Sequence, residues 1–228
     1  MKQQTDLKKL STDWLIASNS VRYSYNFQWM GIPIIQLPQD IVAMQELIWE
    51  VKPDYIVETG IAHGGSVIFY ASMLKLVANN GKVIAVDIDI RETNKKAIES
   101  HPLFNNVTLL EGSSTDQSIV EKIASYINPE KKVLVCLDSN HTHAHVLEEL
   151  QLYSPLVTKD SYLVVFDTTI EDVPSELFSN RPWDRKNNPK TAIVEFLKTN
   201  NRFVVDRTID EKLLITANRD GFLKCIAN

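Results

Sequence analysis

Between residues 54 and 166 the chain repeats one pattern: a short β-branched apolar run, then a segment of helical periodicity, then another run. That alternation marks successive βα units wound around a parallel sheet. Five runs, at 55–57, 83–86, 107–110, 133–137 and 162–166, read as strands, and their near-continuous apolarity predicts cover on both faces. The turn signal Asn79-Asn80-Gly81 separates the first helix from the second strand. After the fifth run, Pro174, Pro182 and Pro189 break up a polar excursion containing Trp183 and Asp184. Irregular chain of that length is more often functional than idle. A helix is expected over 191–198, then two strands at 203–205 and 213–215. Their joint at 206–211 is too short for a crossover helix, so the pair should be antiparallel. Upstream, Asp40 can cap a helix with Ile41, Met44, Ile48 and Val51 at helical spacing, while 23–38 is rich in aromatics and prolines without a clear period. These features predict an α/β, Rossmann-like chain: a seven-stranded, mostly parallel sheet with helices on both faces. It is read as one domain over 1–228, in which 1–52 precedes the sheet as a cap or lid.

Charge and composition narrow the function. Lys and Arg total 24 against 29 Asp and Glu, a net charge of -5, and the basic residues are dispersed. Phosphate-backbone binding needs clustered positive charge, so a general nucleic-acid partner is excluded. The first ten residues have no apolar leader core, and no run approaches the roughly 18 apolar residues of a membrane span. Cys136 lies inside an expected strand and Cys225 near the end, which reads as two buried, reduced thiols in a cytoplasmic chain. The aromatic N-terminal segment is a candidate surface for a homo-oligomer.

Glycine is scarce, 7 in 228 residues, yet Gly60, Gly64 and Gly65 share one turn, Glu58-Thr59-Gly60-Ile61-Ala62-His63-Gly64-Gly65-Ser66. This turn follows the first strand and opens a helix, where an open α/β sheet binds its ligand. It is neither G-x-G-x-x-G nor a phosphate-cradling loop with lysine. Glycines there admit a close backbone approach, and the helix start offers unpaired N–H groups. Glu58 at the strand end suits a cationic group. Asp87 at the end of the second strand can accept from both ribose hydroxyls, and Ser113 and Ser114 after the third can border an adenine. Ammonium, ribose and adenine together describe S-adenosylmethionine, with Gly60, His63, Gly64, Gly65 and Ser66 as further contacts. Asp89, the rival ribose ligand, reads as a helix cap. The competing reading of the glycines is a tight turn serving helix packing.

Four segments carry a resemblance: Gly31-Ile32-Pro33-Ile34-Ile35-Gln36-Leu37-Pro38-Gln39-Asp40, the glycine turn, Val86-Asp87-Ile88-Asp89, and Leu137-Asp138-Ser139-Asn140-His141-Thr142-His143. From about Tyr25 onward the chain resembles the cephalosporin hydroxylase and rhamnosyl O-methyltransferase family. The resemblance implies a class I S-adenosylmethionine-dependent methyltransferase with sheet order 3-2-1-4-5-7-6 and one antiparallel strand. It implies an O-methyltransferase acting on a hydroxyl of a surface sugar, such as one of lipopolysaccharide, or of a related small molecule. It also implies a divalent cation, with Mg²⁺ the candidate, held by an acid matching Asp138 and an acidic pair after the fifth strand. That pair reads Phe166-Asp167 here, and phenylalanine cannot ligate a cation.

Asp138 and Asp167 therefore stand either as metal ligands completed by Thr168 or water, or as hydrogen-bonding or basic groups that orient the acceptor without a metal. Asp138 also borders the expected cofactor site. His141, three residues after Asp138 and matched by a histidine in the family pattern, is the candidate base for an acceptor hydroxyl, with His143 as runner-up. Asp138, His141 and His145 at helical spacing could alternatively form a transition-metal face. His101 reads as a turn residue. Tyr25, Trp29 and Trp183 lie where a lid over an acceptor would form, and Arg181, Asp184 and Arg185 offer bonds to a polyhydroxylated or anionic acceptor. The competing class is a non-catalytic binding protein of the same fold, and Phe166 is the residue that favours it.

Overall fold

The structure, a computed structural model, describes residues 2–77 and 81–228, so Asn79 and Asn80 of the expected turn lie outside the described residues. In chain order the elements are α1 (Lys2–Ser20), β1 (Phe27–Trp29), β2 (Ile32–Ile34), α2 (Pro38–Val51), β3 (Tyr55–Thr59), α3 (Gly65–Leu76), β4 (Lys82–Asp87) and α4 (Glu92–Glu99). There follow β5 (Val107–Glu111), α5 (Gln117–Tyr126), β6 (Val133–Leu137), α6 (His143–Tyr153), β7 (Tyr162–Val165), α7 (Pro189–Thr199), β8 (Phe203–Val205), α8 (Arg207–Lys212) and β9 (Phe222–Cys225).

The large sheet runs β5-β4-β3-β6-β7-β9-β8, which is the expected order 3-2-1-4-5-7-6 once its own strands are counted. Strands β3 to β7 pair in parallel, and β9 is antiparallel to both neighbours. Side chains alternate across the sheet, so Ile56, Leu134, Cys136, Val164 and Phe166 join one apolar cluster. Val57, Ile84, Val135, Leu137 and Leu163 join another on the opposite face. Both faces are thus covered, as the apolar runs predict. Strand β3 has β4 on one side and β6 on the other, so the turns leaving β3 and β6 diverge and open a crevice at their C-terminal ends.

Four local expectations are corrected. The last strand is Phe222–Cys225, not 213–215, and the joint after β8 holds α8, started by the Asp206 side chain accepting from the Thr208 N–H. Leu213 instead packs against the core from irregular chain. Asp40 does not cap α2; its carboxylate accepts from the Thr216 hydroxyl and, at 2.9 Å, from the Ala217 N–H. Asp89 does not cap α4 either, whose N-cap is Arg91. Finally, α6 begins at His143, which leaves His141 in the turn before it. The region at 23–38 contains a two-residue hairpin, β1 and β2, turning at Met30 (φ 49) and Gly31 (φ 88). Trp29, read as a lid aromatic, packs edge-on against Phe69 and donates to the Ser72 hydroxyl at 2.9 Å.

Candidate functional site

The glycine turn is built by backbone crossings. Gly60 sits at φ +87, and a Cβ there would overlap the Asp138 carbonyl. The Gly60 N–H donates to Val86 O at 2.8 Å, and the Asp138 N–H to Thr59 O at 2.9 Å, locking β4, β3 and β6 together at their ends. A Cβ on Gly64 would overlap Ile98, and one on Gly65 the Pro33 carbonyl and Ile34. The missing side chains at 64 and 65 thus make room for α4 and β2, the packing role weighed against the ligand role. Asp87 Oδ2 accepts from the Ile61 N–H at 2.7 Å and the Ala62 N–H at 3.3 Å. Among the described residues, its Oδ1 receives only the Asp89 N–H, at 3.3 Å. Asn94 of α4 donates to Ala62 O at 2.7 Å and holds the turn from outside, next to half-buried His63.

Glu58 lies one residue before the end of β3, fully buried. Neither carboxylate oxygen makes a hydrogen bond of good geometry among the described residues, the Ser66 side chain being near enough only to favour the ionised form. Burial pushes this carboxyl up to about 8, opposed by the Ser66 side chain and reinforced by Asp87. A buried acid without a partner is costly unless a ligand meets it.

After β5, Ser113 Oγ lies 3.0 Å from Thr115 Oγ1, while buried Ser114 turns inward to His145 Nε2 at 3.1 Å. The same nitrogen lies 3.1 Å from Ser139 Oγ, which donates to buried Glu149 at 2.7 Å. His145 therefore ties the turn after β5 to the turn after β6. It stands apart from His141, so the Asp138-His141-His145 metal face does not form. His143 is likewise committed: Nδ1 lies 2.8 Å from Thr191 Oγ1 and Nε2 3.2 Å from Glu195.

Asp138 and Asp167 do converge, and His141 joins them. One donor atom from each of the three lies within 4.8 Å of the others. His141 Nε2 is 3.2 Å from Asp167 Oδ2, and its ring meets Trp183 edge-on at 4.8 Å. Asp167 has φ 55, and its N–H donates to Asn218 Oδ1 at 3.1 Å. Burial raises Asp138 well above the usual carboxylate range, with the carboxylates of Asp167, Glu58 and Glu149 adding to the effect and Gln36 opposing it. Phe166 packs into the core and lends the cavity wall an apolar surface, offering no ligand atom. Residues missed by sequence reasoning are Gln36, a buried amide that favours the ionised form of Asp138, and Asp40, which burial pushes to about 7 despite Thr216 and Ala217. Gln36 lay in a segment quoted for the resemblance; nothing local announced its role.

These groups open into a cavity of about 950 Å³. Asp138, His141, Asp167, Gln36 and Asp40 line it, together with Tyr25, Arg22 and the excursion residues Arg181 and Trp183.

The family model described as Rhamnosyl O-methyltransferase/CmcI matches residues 21–226. The rhamnosyl O-methyltransferase of Mycobacterium leprae is 33% identical over 147 residues, which cover 64% of this chain and 62% of the relative. That of Mycobacterium tuberculosis (strain H37Rv) has the same identity, with 64% and 58% covered. The chain thus spans about three fifths of the length of these curated relatives. A solved CmcI structure with Mg and SAM superposes with a TM-score of 0.61 at 19% identity, covering 89% of this chain and 78% of that one. An O-methyltransferase from Bacillus cereus in complex with SAH gives 0.55 at 15% identity, covering 85% and 81%. Both likenesses bear on the fold, which is that of the class I methyltransferases. With the match running through hairpin, glycine turn and carboxylate cluster alike, the chain belongs to the Rhamnosyl O-methyltransferase/CmcI family.

Proposed function

We propose that the chain is an S-adenosylmethionine-dependent O-methyltransferase acting on a hydroxyl of a sugar, in a surface glycan or a related small molecule. The observation that carries this reading is the position of Asp138, which feels Glu58 and the glycine turn on one side and lines the large cavity on the other. A donor site and an acceptor site would meet there. The residues present fit the cofactor: two orphaned, buried oxygens on Glu58 suit an ammonium, and Asp87 Oδ1 keeps capacity for a ribose hydroxyl. When bound, S-adenosylmethionine supplies a methyl group on a sulfonium, with a neutral thioether as leaving group.

The chain's own work is binding, alignment and proton removal. Glu58 holds the ammonium end, with the turn residues Gly60, His63, Gly64, Gly65 and Ser66 around it. Asp87 orients the ribose, and Ser113 borders the adenine, while Ser114, expected beside it, has its hydroxyl committed to His145. Asp138 orients the acceptor hydroxyl. His141, its Nε2–H donating to Asp167, holds the tautomer that leaves Nδ1 free to accept the acceptor's proton. A second reading is favoured by the convergence of Asp138, His141 and Asp167 within 4.8 Å, a donor set that fits a divalent cation completed by water. A cation there would polarise the acceptor oxygen. The non-catalytic alternative rests on Phe166, and the convergence of Asp138, His141 and Asp167 speaks against it.

Transfer of labelled methyl groups from S-adenosylmethionine to a panel of hexosides tests the reading. Label should enter an ether methyl, and His141→Ala should lower the rate about 10²–10⁴-fold without changing S-adenosylhomocysteine affinity. A chain that neither binds S-adenosylhomocysteine nor transfers label contradicts it. Loss of activity with a chelator and recovery with Mg²⁺ supports the cation; indifference to both removes it. Residues 1–52 serve as the cap over this site within a single domain. Exposed Leu10, Val21 and Met30 on that cap support self-association, to be read by sedimentation. Buried, unpaired Cys136 and Cys225 support a cytoplasmic setting.

A further inference from the structure

The seven arginines divide by what they hold. Arg185 donates to the Glu171 carbonyl, Arg202 to the Ser154 and Val157 carbonyls, Arg207 pairs with Asp220, and Arg219 binds Ser11 and Thr12. Among the described residues, Arg22, Arg91 and Arg181 have neither a carboxylate nor a carbonyl partner for the guanidinium. Two of these three, Arg22 and Arg181, line the same cavity. They reach it from unrelated segments, one just after α1, the other in the excursion after β7, and both are exposed at its mouth. In a chain of net charge -5, two unpaired guanidiniums converging on one cavity need an explanation.

The carboxylates lining the cavity do not supply one. Asp40 is bonded to Thr216 and Ala217, Asp167 to His141, and the other two lining acids, Asp138 and exposed Glu176, form no ion pair with Arg22 or Arg181 among the described residues. Arg181 lies over the Trp183 ring at 5.3 Å, and the edge of that ring meets His141 at 4.8 Å. A guanidinium stacked this way keeps its planar N–H fork free for a bidentate anion. Arg22 is held in the left-handed region at φ 51, a conformation that non-glycine residues seldom adopt and that clusters at ligand sites.

We infer that the acceptor is an anionic sugar, one carrying a phosphate or carboxylate group, and that Arg22 and Arg181 bind that group at the cavity mouth while a hydroxyl faces Asp138 and His141. This rests on the methyltransferase reading and narrows its acceptor. Trp183, between Arg181 and His141, offers an aromatic face to the ring of the sugar. A neutral glycoside would leave both guanidiniums unmatched.

The test is calorimetric titration of the full chain, saturated with S-adenosylhomocysteine, with glucose 1-phosphate, glucuronic acid and methyl glucoside. At least one charged sugar should bind about tenfold or more tightly than the neutral one, as expected for charge-assisted, bidentate contacts. Arg22→Ala and Arg181→Ala should each erase most of that preference and leave S-adenosylhomocysteine affinity unchanged, whereas Arg91→Ala should keep it. Preference for the phosphate or for the carboxylate tells the two sources apart. Equal binding of charged and neutral sugars, no binding of any, or a preference that survives both arginine variants overturns the inference. If S-adenosylhomocysteine still binds in those cases, the methyltransferase reading stands without it; if S-adenosylhomocysteine does not bind, that reading is what has failed.

Discussion

Glu58 shows how one residue couples burial to binding. A carboxyl raised to about 8 in the folded chain, against 4.5 ordinarily, holds its proton more tightly folded than unfolded. Stability without ligand is therefore fully present below about 4.5 and lost as pH rises towards 8 and beyond. Thermal unfolding of the ligand-free chain between pH 5 and 8.5 should show that decline, and Glu58→Gln should make it shallower, the buried acids Asp40 and Asp138 contributing the remainder with the same sign. An ammonium beside the carboxylate reverses the preference, so S-adenosylhomocysteine affinity should tighten from pH 6 to 8, by up to about tenfold per unit. Glu58→Gln should abolish the slope, and an unchanged slope would remove Glu58 from the site. Gly60→Ala should cost about 2–4 kcal/mol in chemical denaturation, because the new methyl group meets backbone at a positive φ. The position of Glu58 was legible because a strand end before a glycine turn is a local pattern. Asp40 was misread for the converse reason: an acid at a helix start looks like a cap, and its partner Thr216 lies 176 residues away.

At the scale of elements, pattern served the parallel strands and failed where tertiary contacts overrode it. Strands β3 to β7 announce themselves by unbroken apolar runs buried on both faces. Strand β9 does not, since Lys224 interrupts it, laying its ammonium 5.7 Å over the Tyr162 ring. The run at 213–215 looked more strand-like, yet it follows α8 and stays irregular. The β1–β2 hairpin was hidden because Met30 takes a left-handed conformation usually left to Asn or Gly in such turns. Helix α7 shows a boundary that local chemistry does set. Asn188 accepts from the Thr191 N–H, Thr191 returns a bond to the Asn188 N–H, and Pro189 occupies the first turn. Asn188 also donates to Glu171 and to the Asp184 carbonyl, tying the excursion to the helix. Asn188→Ala should therefore cost about 1–2 kcal/mol in denaturant unfolding, at the upper end for a lost cap. A cost near zero would mean the excursion is anchored elsewhere.

For the whole molecule, one sheet order brings two chemistries to one edge. The switch between β3 and β6 sets Glu58 near Asp138, with Asp87 across β3 on its other side, and the chain segments outside the sheet, near Arg22 and Trp183, wall the cavity beyond. No helix among the described residues is long and apolar enough to cross a membrane. The sheet and the Asp138–Asp167 convergence were legible because strand ends in such a sheet share one side. The third member, His141, was assigned as a base and, in the alternative, as a ligand beside His145; the structure sets it beside Asp167 instead, because sequence spacing cannot say which way a turn residue points. The methyltransferase reading is met most directly by calorimetry of S-adenosylmethionine binding to the purified chain and to Asp87→Ala. One site per chain, weakened about tenfold or more by the substitution, is the predicted result. No detectable heat with the intact chain, or equal affinity in both proteins, would contradict it.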